Sequence, residues 1–324
     1  MKNLHIIGID VSKKTLDICA IFESKMKKKS FANSESGFKH LTVWINKLGL
    51  VNPHICMEST GCYSEGVAEF LYDTGLKVSV VNPLQIKAFR TSKMVRQKTD
   101  SSDSETIAKF CLQNDPIAWH PKPRANKELH EINVRIDALK VELNRLISSL
   151  EKKTLNSVVQ ASIDKEIIFI KKSIEELETE AKKLIEGNKE LKQRFDLLVS
   201  IKGVGLKMAS TILADMPDVS SFKTAKQYAA YVGVTPSHFQ SGTSVHGKSR
   251  ISKLGSERIR KVLYMNALNI RNYNQHFSHF VQKLKNKGKA IKVIIVAIMR
   301  KLMHLFFGIL KNNAFFDQNL AFCS

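Results

Sequence analysis

Four carboxylates stand where their type and spacing could carry chemistry. Asp10 closes a strand-like apolar run, Leu4 to Asp10, and Glu58 closes another that begins at His54. Asp100 and Asp103 are three residues apart, a spacing that places both on one face of a helix start. If the first and fourth strands are neighbours in a mixed sheet, four acidic oxygen donors converge on one rim. Clustered carboxylates repel one another unless cations neutralise them, and hard oxygen ligands suit Mg²⁺ or Mn²⁺. Two ions about 4 Å apart can bind the attacking and leaving oxygens of a phosphodiester. Each carboxylate alone is a weak sign, because a strand-terminal Asp is commonly a turn former. Asp100 also reads as the cap of a helix whose first turn carries Asp103 and Glu105. Taken together in this strand order and in a basic chain, they point to a metal site, with the fourth place open between Asp103 and Glu105.

The elements that must position these groups follow from hydrophobic periodicity. Leu4 to Asp10, Leu16 to Phe22 and Lys29 to Ala32 read as a three-strand meander. A helix over Phe38 to Leu48, a strand from His54, a helix near Glu65 to Thr74 and a strand Lys77 to Val81 come next, the last stopping at Asn82-Pro83. Ser101 to Gln113 reads as a helix that ends at Asp115-Pro116, and a boundary is expected at the turn-rich His120-Pro121-Lys122-Pro123. Between Arg124 and Met216 there is no proline, and Leu129, Ile132, Ile136, Leu139, Leu143, Leu146 and Leu150 step by three and four. The pattern lapses near Leu155 to Ser162 and resumes from Ile163 to Leu198, with Asn188 in a seam position. Two long helices joined by a turn are expected. They form either an intramolecular hairpin or a dimerising coiled coil, and a seam Asn, which fixes register or oligomer state, tilts the reading toward the dimer. After Ile201 the expectation is a helix from Ala209 to Met216, another from Phe222 to Val232, a flexible basic stretch from Ser237 to Gly255 and three closing helices.

The 324 residues allow two or three domains, and 43% hydrophobic with 25% charged residues is a globular composition. This excludes a disulfide-stapled miniature scaffold and a disordered chain. The net charge of +21 marks a nucleic-acid or anionic partner. Residues 201–324 hold 19 basic side chains against 4 acidic ones, so the polyanion-binding surface is expected in the last third. Cys19, Cys56, Cys62, Cys111 and Cys323 are scattered without metal-ligand spacing and read as reduced, intracellular thiols. No leader-like segment precedes the first strand, so secretion is not expected. The long apolar run Ala290 to Leu310 contains Lys292, Arg300, Lys301 and His304, which fits a buried helix better than a membrane span.

The motifs Gly8-Ile9-Asp10-Val11-Ser12-Lys13, Met57-Glu58-Ser59-Thr60-Gly61 and Lys98-Thr99-Asp100-Ser101-Ser102-Asp103 resemble those of the DEDD transposases of bacterial insertion sequences. This is the insertion-sequence family one-ten, which includes the Piv-type DNA invertases. The resemblance covers nearly the whole chain. Its third acidic motif and the Gln240-Ser241-Gly242 motif are the specific parts, whereas Gly-Ile-Asp-Val also occurs in many ribonuclease H-like proteins. It implies an α/β ribonuclease H-like (RuvC-like) catalytic domain over residues 1–123, with Asp10, Glu58, Asp100 and Asp103 as the catalytic, metal-binding carboxylates. A coiled-coil or helical hairpin over 124–198 and a mainly α C-terminal domain over 199–324 complete the expected architecture.

Two further motifs lie in the basic third. Gly203 and Gly205 directly precede a helix, where glycine allows close backbone approach and free amides favour an anion. With Lys202 and Lys207 they resemble a helix-hairpin-helix element, although a plain helix-helix turn uses the same residues. Composition alone makes Ser241 a loop serine and Lys248, Arg250, Lys253, Arg258, Arg260 and Lys261, with Lys98, a solvated nucleic-acid face. The resemblance implies more for Ser241: in the family this serine is essential and forms a covalent link to DNA. Ser244, Ser249 and Ser252 are neighbouring decoys, and Cys62 and Tyr63 are packing residues.

The implied activity is that of a transposase or site-specific recombinase acting on donor and target DNA. The resemblance also implies a structured bridge RNA as guide and a homodimer or homotetramer, in which Ser241 of one subunit docks on carboxylates of another. A cytoplasmic, nucleoid-associated place and no membrane partner are expected. Two alternatives use the same residues: a RuvC-like junction resolvase in which metal-activated water cuts and Ser241 is dispensable, and a non-catalytic nucleic-acid-binding protein with a degraded metal site.

Overall fold

The computed structural model of the protein describes residues 5–23, 25–93, 100–151, 156–237, 240–241, 245–246, 250–252, 254–273 and 275–317. The chain divides into two compact units, Met1–Pro121 and Lys122–Ser324.

The first unit runs β1 (Ile6–Val11), β2 (Thr15–Phe22), β3 (Lys25–Ala32), α1 (Glu35–Lys47), β4 (His54–Glu58), α2 (Cys62–Asp73), β5 (Lys77–Val81), α3 (Pro83–Ser92) and α4 (Asp100–Asn114). The strands form one mixed sheet in the order β3-β2-β1-β4-β5. β1, β2 and β3 are antiparallel in sequence, and β1, β4 and β5 run parallel. Alternation along each strand assigns its two faces. Ile7, Ile9, Val11, Ile18, Ile55 and Met57 meet Phe38, Leu41 and Ile45 of α1 and Val67 and Leu71 of α2. On the opposite face Ile6, Cys19, Cys56 and Val81 meet Ile86 of α3 and Ile107, Ala108 and Cys111 of α4.

Gly8 lies on this second face, and α4 uses the space its missing side chain leaves. A Cβ there would stand 2.3 Å from both the Ser104 carbonyl oxygen and the Ala108 amide nitrogen. The helix backbone therefore rests directly on the centre of β1, and Ser104, Ala108 and Cys111 are buried.

Two elements differ from the sequence expectation. β3 begins at Lys25 rather than near Lys29, because the hairpin register pairs Phe22 with Lys25 and extends the ladder through four lysines. As a sheet edge it leaves those side chains in solvent, where lysine also discourages edge-to-edge pairing. α3 was not expected at all, since Asn82-Pro83 reads as a stop. Here it is a start: Asn82 Oδ1 accepts the Leu84 amide at 2.9 Å and Pro83 occupies the first turn, where its missing N–H costs nothing.

The second unit comprises α5 (Arg124–Leu150), α6 (Ser157–Gly187), α7 (Lys189–Val199), α8 (Leu206–Asp215), a 3-10 turn (Val219–Ser221), α9 (Ala225–Val232), the two-residue strands β6 (Pro236–Ser237), β7 (Gln240–Ser241), β8 (Val245–His246) and β9 (Arg250–Ile251), then α10 (Glu257–Tyr273), α11 (Gln275–Asn286) and α12 (Ile291–Asn312). α5 and α6 pack on each other within the chain through Ile136, Leu139 and Leu146 against Ile167, Ile170 and Ile174. The seam thus closes as an intramolecular hairpin. Asn188 is not in that seam. It ends α6 and caps α7, its Oδ1 accepting the Leu191 amide at 2.9 Å, because an Asn side chain satisfies an orphan amide at a helix start better than it packs. The far ends of the hairpin share a core with α7 to α12, in which Leu129, Ala181, Leu198, Ile212, Tyr228, Leu263 and Phe306 are buried. α12 is long and apolar enough to cross a membrane by length and composition, yet Ile294, Ile298, Leu302, Met303 and Phe306 are buried in this core.

Gly8→Ala is expected to cost about 1–3 kcal/mol of stability, as overpacking at a tight contact does. Gly66→Ala, where the nearest atom is a ring carbon of Phe38 at 3.7 Å, serves as the control and should be neutral or stabilising. Urea unfolding curves of the two variants that coincide would remove α4 from the face of β1.

Candidate active site

β1 and β4 lie side by side in parallel register, Gly8 with Cys56 and Ile9 with Met57, so their next residues are Asp10 and Glu58. Adjacent strands are about 4.8 Å apart, and both side chains project on the α4 face, where each is half-buried. Two of the four expected carboxylates are therefore neighbours at the carboxyl ends of the parallel strands.

A third carboxylate on the same rung went unrecognised in the sequence. Asp17 pairs with Asp10 across β1 and β2, on the same face. The signal was present in the turn Ser12-Lys13-Lys14-Thr15. Ser12 Oγ accepts the Thr15 amide at 2.9 Å, which fixes the hairpin so that residues 10 and 17 stand opposite.

α4 carries the other two expected acids. Asp100 is its first residue, with a side chain outside the described set, as is Lys98. Asp103 Oδ1 accepts Arg90 Nη2 of α3 at 2.5 Å, and both side chains are largely buried. Glu105 is turned elsewhere: Lys109 and Lys28 donate to it at 2.6 and 2.7 Å, and these hydrogen bonds hold its carboxyl below the usual range. Among the described residues no three His, Cys, Asp or Glu side chains are grouped closely enough to hold one metal ion. The side chain of Asp100 is not among these.

In the second unit Ser241 ends β7 and pairs with Val245 of β8, so it stands at the base of a short hairpin. Gly242, Lys248 and Lys253 lie outside the described residues, and of Arg250 only the backbone, in β9, is described. Gly203 and Gly205 form the turn between α7 and α8. Gly203 takes a φ of 99° and Gly205 precedes the first residue of α8. Val204 between them is buried and seven residues of α8 are buried, so this turn joins two core helices, with Lys202 exposed beside it.

Several expected phosphate contacts are engaged inside the fold. Arg258 Nη1 meets both oxygens of Asp215 at 2.7 and 2.6 Å, and its Nε donates to Asp137 Oδ2 at 2.8 Å. Lys207 pairs with the other Asp137 oxygen, and His130 Nδ1 is 2.6 Å from Asp215. Burial pushes the Asp137 carboxyl up, but the hydrogen bonds from Arg258 and Lys207 outweigh it and hold the group below its ordinary value. Burial lowers Lys207. This network ties α5 to α8 and α10. Arg260 donates to the carbonyls of Val232 and Gly255, both at 2.9 Å, closing the end of α9. Lys261 is exposed.

A mixed five-stranded sheet whose first and fourth strands end in neighbouring acids, followed by a mainly helical unit, defines an α/β protein with an acidic sheet end. Comparison with known proteins gives the family. A DEDD transposase model matches residues 7–160, and the model of the transposase IS116/IS110/IS902 family matches residues 195–282. The pilin gene-inverting proteins of Moraxella bovis and Moraxella lacunata are each 34% identical over 97% of this chain and 98% of theirs. Among solved structures, T. thermophilus RuvC in complex with a Holliday junction substrate matches 34% of this chain and 95% of its own, at 13% identity and a TM-score of 0.25. The chain belongs to the IS116/IS110/IS902 family of transposases.

Replacing Arg258 separates a structural from a DNA-contacting role. Arg258→Ala leaves Asp215, whose side chain is 7% exposed, without its main partner. The expected cost is about 3–5 kcal/mol, the range for a broken buried pair. Lys261→Ala should stay within about 0.5 kcal/mol of wild type. Equal stability of the two in thermal unfolding would show that Arg258 is not holding the fold.

Proposed function

We propose that this transposase cuts and rejoins donor and target DNA with Asp10, Glu58, Asp100 and Asp103 as metal-binding carboxylates and Ser241 as nucleophile. The observation that carries the reading is the side-by-side placement of Asp10 and Glu58 at the ends of parallel strands, in a chain of this family. The relatives at 34% identity are named for inverting a pilin gene, which supports rearrangement of DNA as the outcome here. The activity belongs in the cytoplasm, on nucleoid DNA.

The donor set fits a hard divalent cation. Asp10 and Glu58 offer carboxylate oxygens at one sheet end, and Asp100 and Asp103 start the helix that crosses the same face. Bound there, Mg²⁺ or Mn²⁺ supplies charge neutralisation at the phosphate and eases loss of the serine proton. Arg90 holds Asp103 in the described arrangement and sets its orientation. The Ser241 hydroxyl oxygen attacks phosphorus, the bond to one sugar oxygen breaks, and that oxygen leaves as a strand-end hydroxyl after taking a proton. The resulting phosphoserine ester keeps the bond energy for rejoining, by attack of another strand-end hydroxyl. Since Ser241 and the carboxylates belong to different units of the chain, we assign assembly of the complete site to a homodimer or homotetramer, with the serine delivered between subunits. A structured guide RNA that specifies both DNAs completes the reading, and the basic second unit suits the backbone of either nucleic acid.

The test is detection of a covalent protein–DNA adduct on a denaturing gel, with the element's end sequence, its flanking RNA and Mg²⁺. Wild type should give the adduct, and Ser241→Ala and Asp10→Ala should both abolish it, as should chelation of the metal. Cleavage without an adduct, unaffected by Ser241→Ala, would replace the serine with water and make the protein a resolvase-like nuclease. Binding with no cleavage at all would reduce it to a non-catalytic nucleic-acid-binding protein.

A further inference from the structure

α12 carries a group of cations that the reaction above does not use. Arg300 and His304 are four residues apart on one face of the helix, with Lys301 beside them, and all three are half-buried. Lys226 of the packed helix α9 acts on the same group. The Arg300 Nε and the His304 Nε2 are shielded from solvent and have no hydrogen-bond partner among the described residues. Burial, then Arg300, Lys301 and Lys226, push the His304 imidazole below its ordinary value, so it is neutral near pH 7.

Acids are scarce in the sequence around this group. From Val219 to Phe316 the sequence has seventeen lysines and arginines and one acidic residue, Glu257, in the first turn of α10. Of the other elements packed on α12, α11 presents only basic and neutral groups. The acids of α7 and the 3-10 turn are already engaged: Glu190 and Asp218 with Arg194 at 3.1 and 2.5 Å, Asp196 with Lys192 at 2.7 Å. Lysine and arginine stems often lie on apolar surface with their charge in water. Snorkelling does not cover an enclosed guanidinium Nε and an enclosed imidazole nitrogen, neither of which has a hydrogen-bond partner among the described residues.

We propose that Lys226, Arg300 and His304 form a phosphate-binding notch on the α9–α12 face, which takes a backbone phosphodiester of the nucleic acid handled by this protein. The proposal rests on the reading of the protein as a DNA recombinase and adds a place where its substrate is held. A phosphate oxygen entering beside Arg300 and His304 supplies the missing acceptor, and its charge relieves the repulsion among the cations. It also favours the imidazolium, so binding takes up a proton and tightens as pH falls.

The experiment measures affinity of the full-length protein for duplex DNA and for an RNA hairpin, by fluorescence anisotropy across a potassium chloride series. Wild type is compared with Lys226→Gln, Arg300→Gln and the double variant. Each lost phosphate contact should lower the slope of log affinity against log salt by about 0.9 on duplex DNA, and weaken binding several-fold at moderate salt. Loss on DNA alone assigns the notch to the DNA, loss on RNA alone to the RNA, and loss on both to a shared site. Thermal midpoints of the variants should equal or exceed that of wild type, since like charges are being removed. Lys226 is exposed, so its variant tests the proposal even if Arg300→Gln does not fold. Titration with inorganic phosphate should shift the His304 ring signals by NMR in wild type and not in Arg300→Gln. Unchanged salt slopes on both polymers in the folded variants would overturn the proposal. Asp10→Ala should keep the wild-type slope while losing the adduct, so failure of the notch and failure of the catalytic reading are told apart.

Discussion

The contact between α4 and β1 at Gly8 is the constraint on which the first unit depends. Backbone lies on backbone there, with the Ser104 carbonyl and the Ala108 amide occupying the space of a side chain. Any larger residue at position 8 lifts the helix off the sheet. Two residues further along the same strand face stands Asp10, and one turn before Ser104 the helix begins with Asp100. One glycine therefore fixes the spacing between the strand that carries one expected metal ligand and the helix that carries two others. Residues 8 and 10 of Gly8-Ile9-Asp10 share a face because a strand repeats every two residues. The packing contact and the chemistry are thus parts of a single short motif.

Charge is arranged on different physical terms in the two units. At the sheet ends Asp10, Asp17 and Glu58 occupy adjacent positions on three neighbouring strands, an arrangement in which like charges oppose folding unless cations are near. Around α8 and α10 the opposite holds. Asp137 and Asp215 are enclosed by Arg258, Lys207 and His130, and the paired charges join the base of the helical hairpin to the helices beneath it. A buried pair of this kind adds little net stability over apolar packing but is costly to break.

How much of this was legible in the sequence depends on the range of the interaction. The strands β1, β2, β4 and β5 and the helices α1, α2 and α4 follow from local periodicity, whereas the placement of Asp10 beside Glu58 is conditional in sequence on the first and fourth strands being neighbours, which the sheet order supplies. Local competition between readings explains the misses. Asn82-Pro83 is both a strand terminator and a helix start, and the hydrogen bond that the Leu84 amide donates to Asn82 Oδ1 distinguishes them. Asn188 falls at a heptad step, which in sequence is a seam position, whereas its side chain caps α7. Asp17 was overlooked because a single Asp inside a strand has no motif; its meaning comes from the hairpin register opposite Asp10. The basic residues of the last third show the same limit. Composition announces a cationic surface, yet Lys207, Arg258 and Arg260 prove to be tied to Asp137, Asp215 and backbone carbonyls. A positive charge in sequence carries no record of the acid it will meet.

This difference between total charge and available charge also bears on where a polyanion is held. Residues that neutralise internal carboxylates release no counterions when nucleic acid binds, so they contribute little to salt-dependent affinity. Lys25 and Lys28 of β3 meet Glu23 and Glu105, so what remains in the described structure includes Lys27 and Lys29 of that edge and Arg300 with His304 on α12. The two differ in kind. Lys27 and Lys29 on the sheet edge are exposed side chains on a strand that must avoid pairing with another sheet. Arg300 and His304 are held by a core helix, and each keeps an enclosed nitrogen with no hydrogen-bond partner among the described residues. Preorganised, desolvated cations gain more from a phosphate than solvated ones do, because less entropy and less hydration are lost on contact. The helix that the sequence marks as most apolar is therefore also the one whose few charges have the most to gain from an anionic partner.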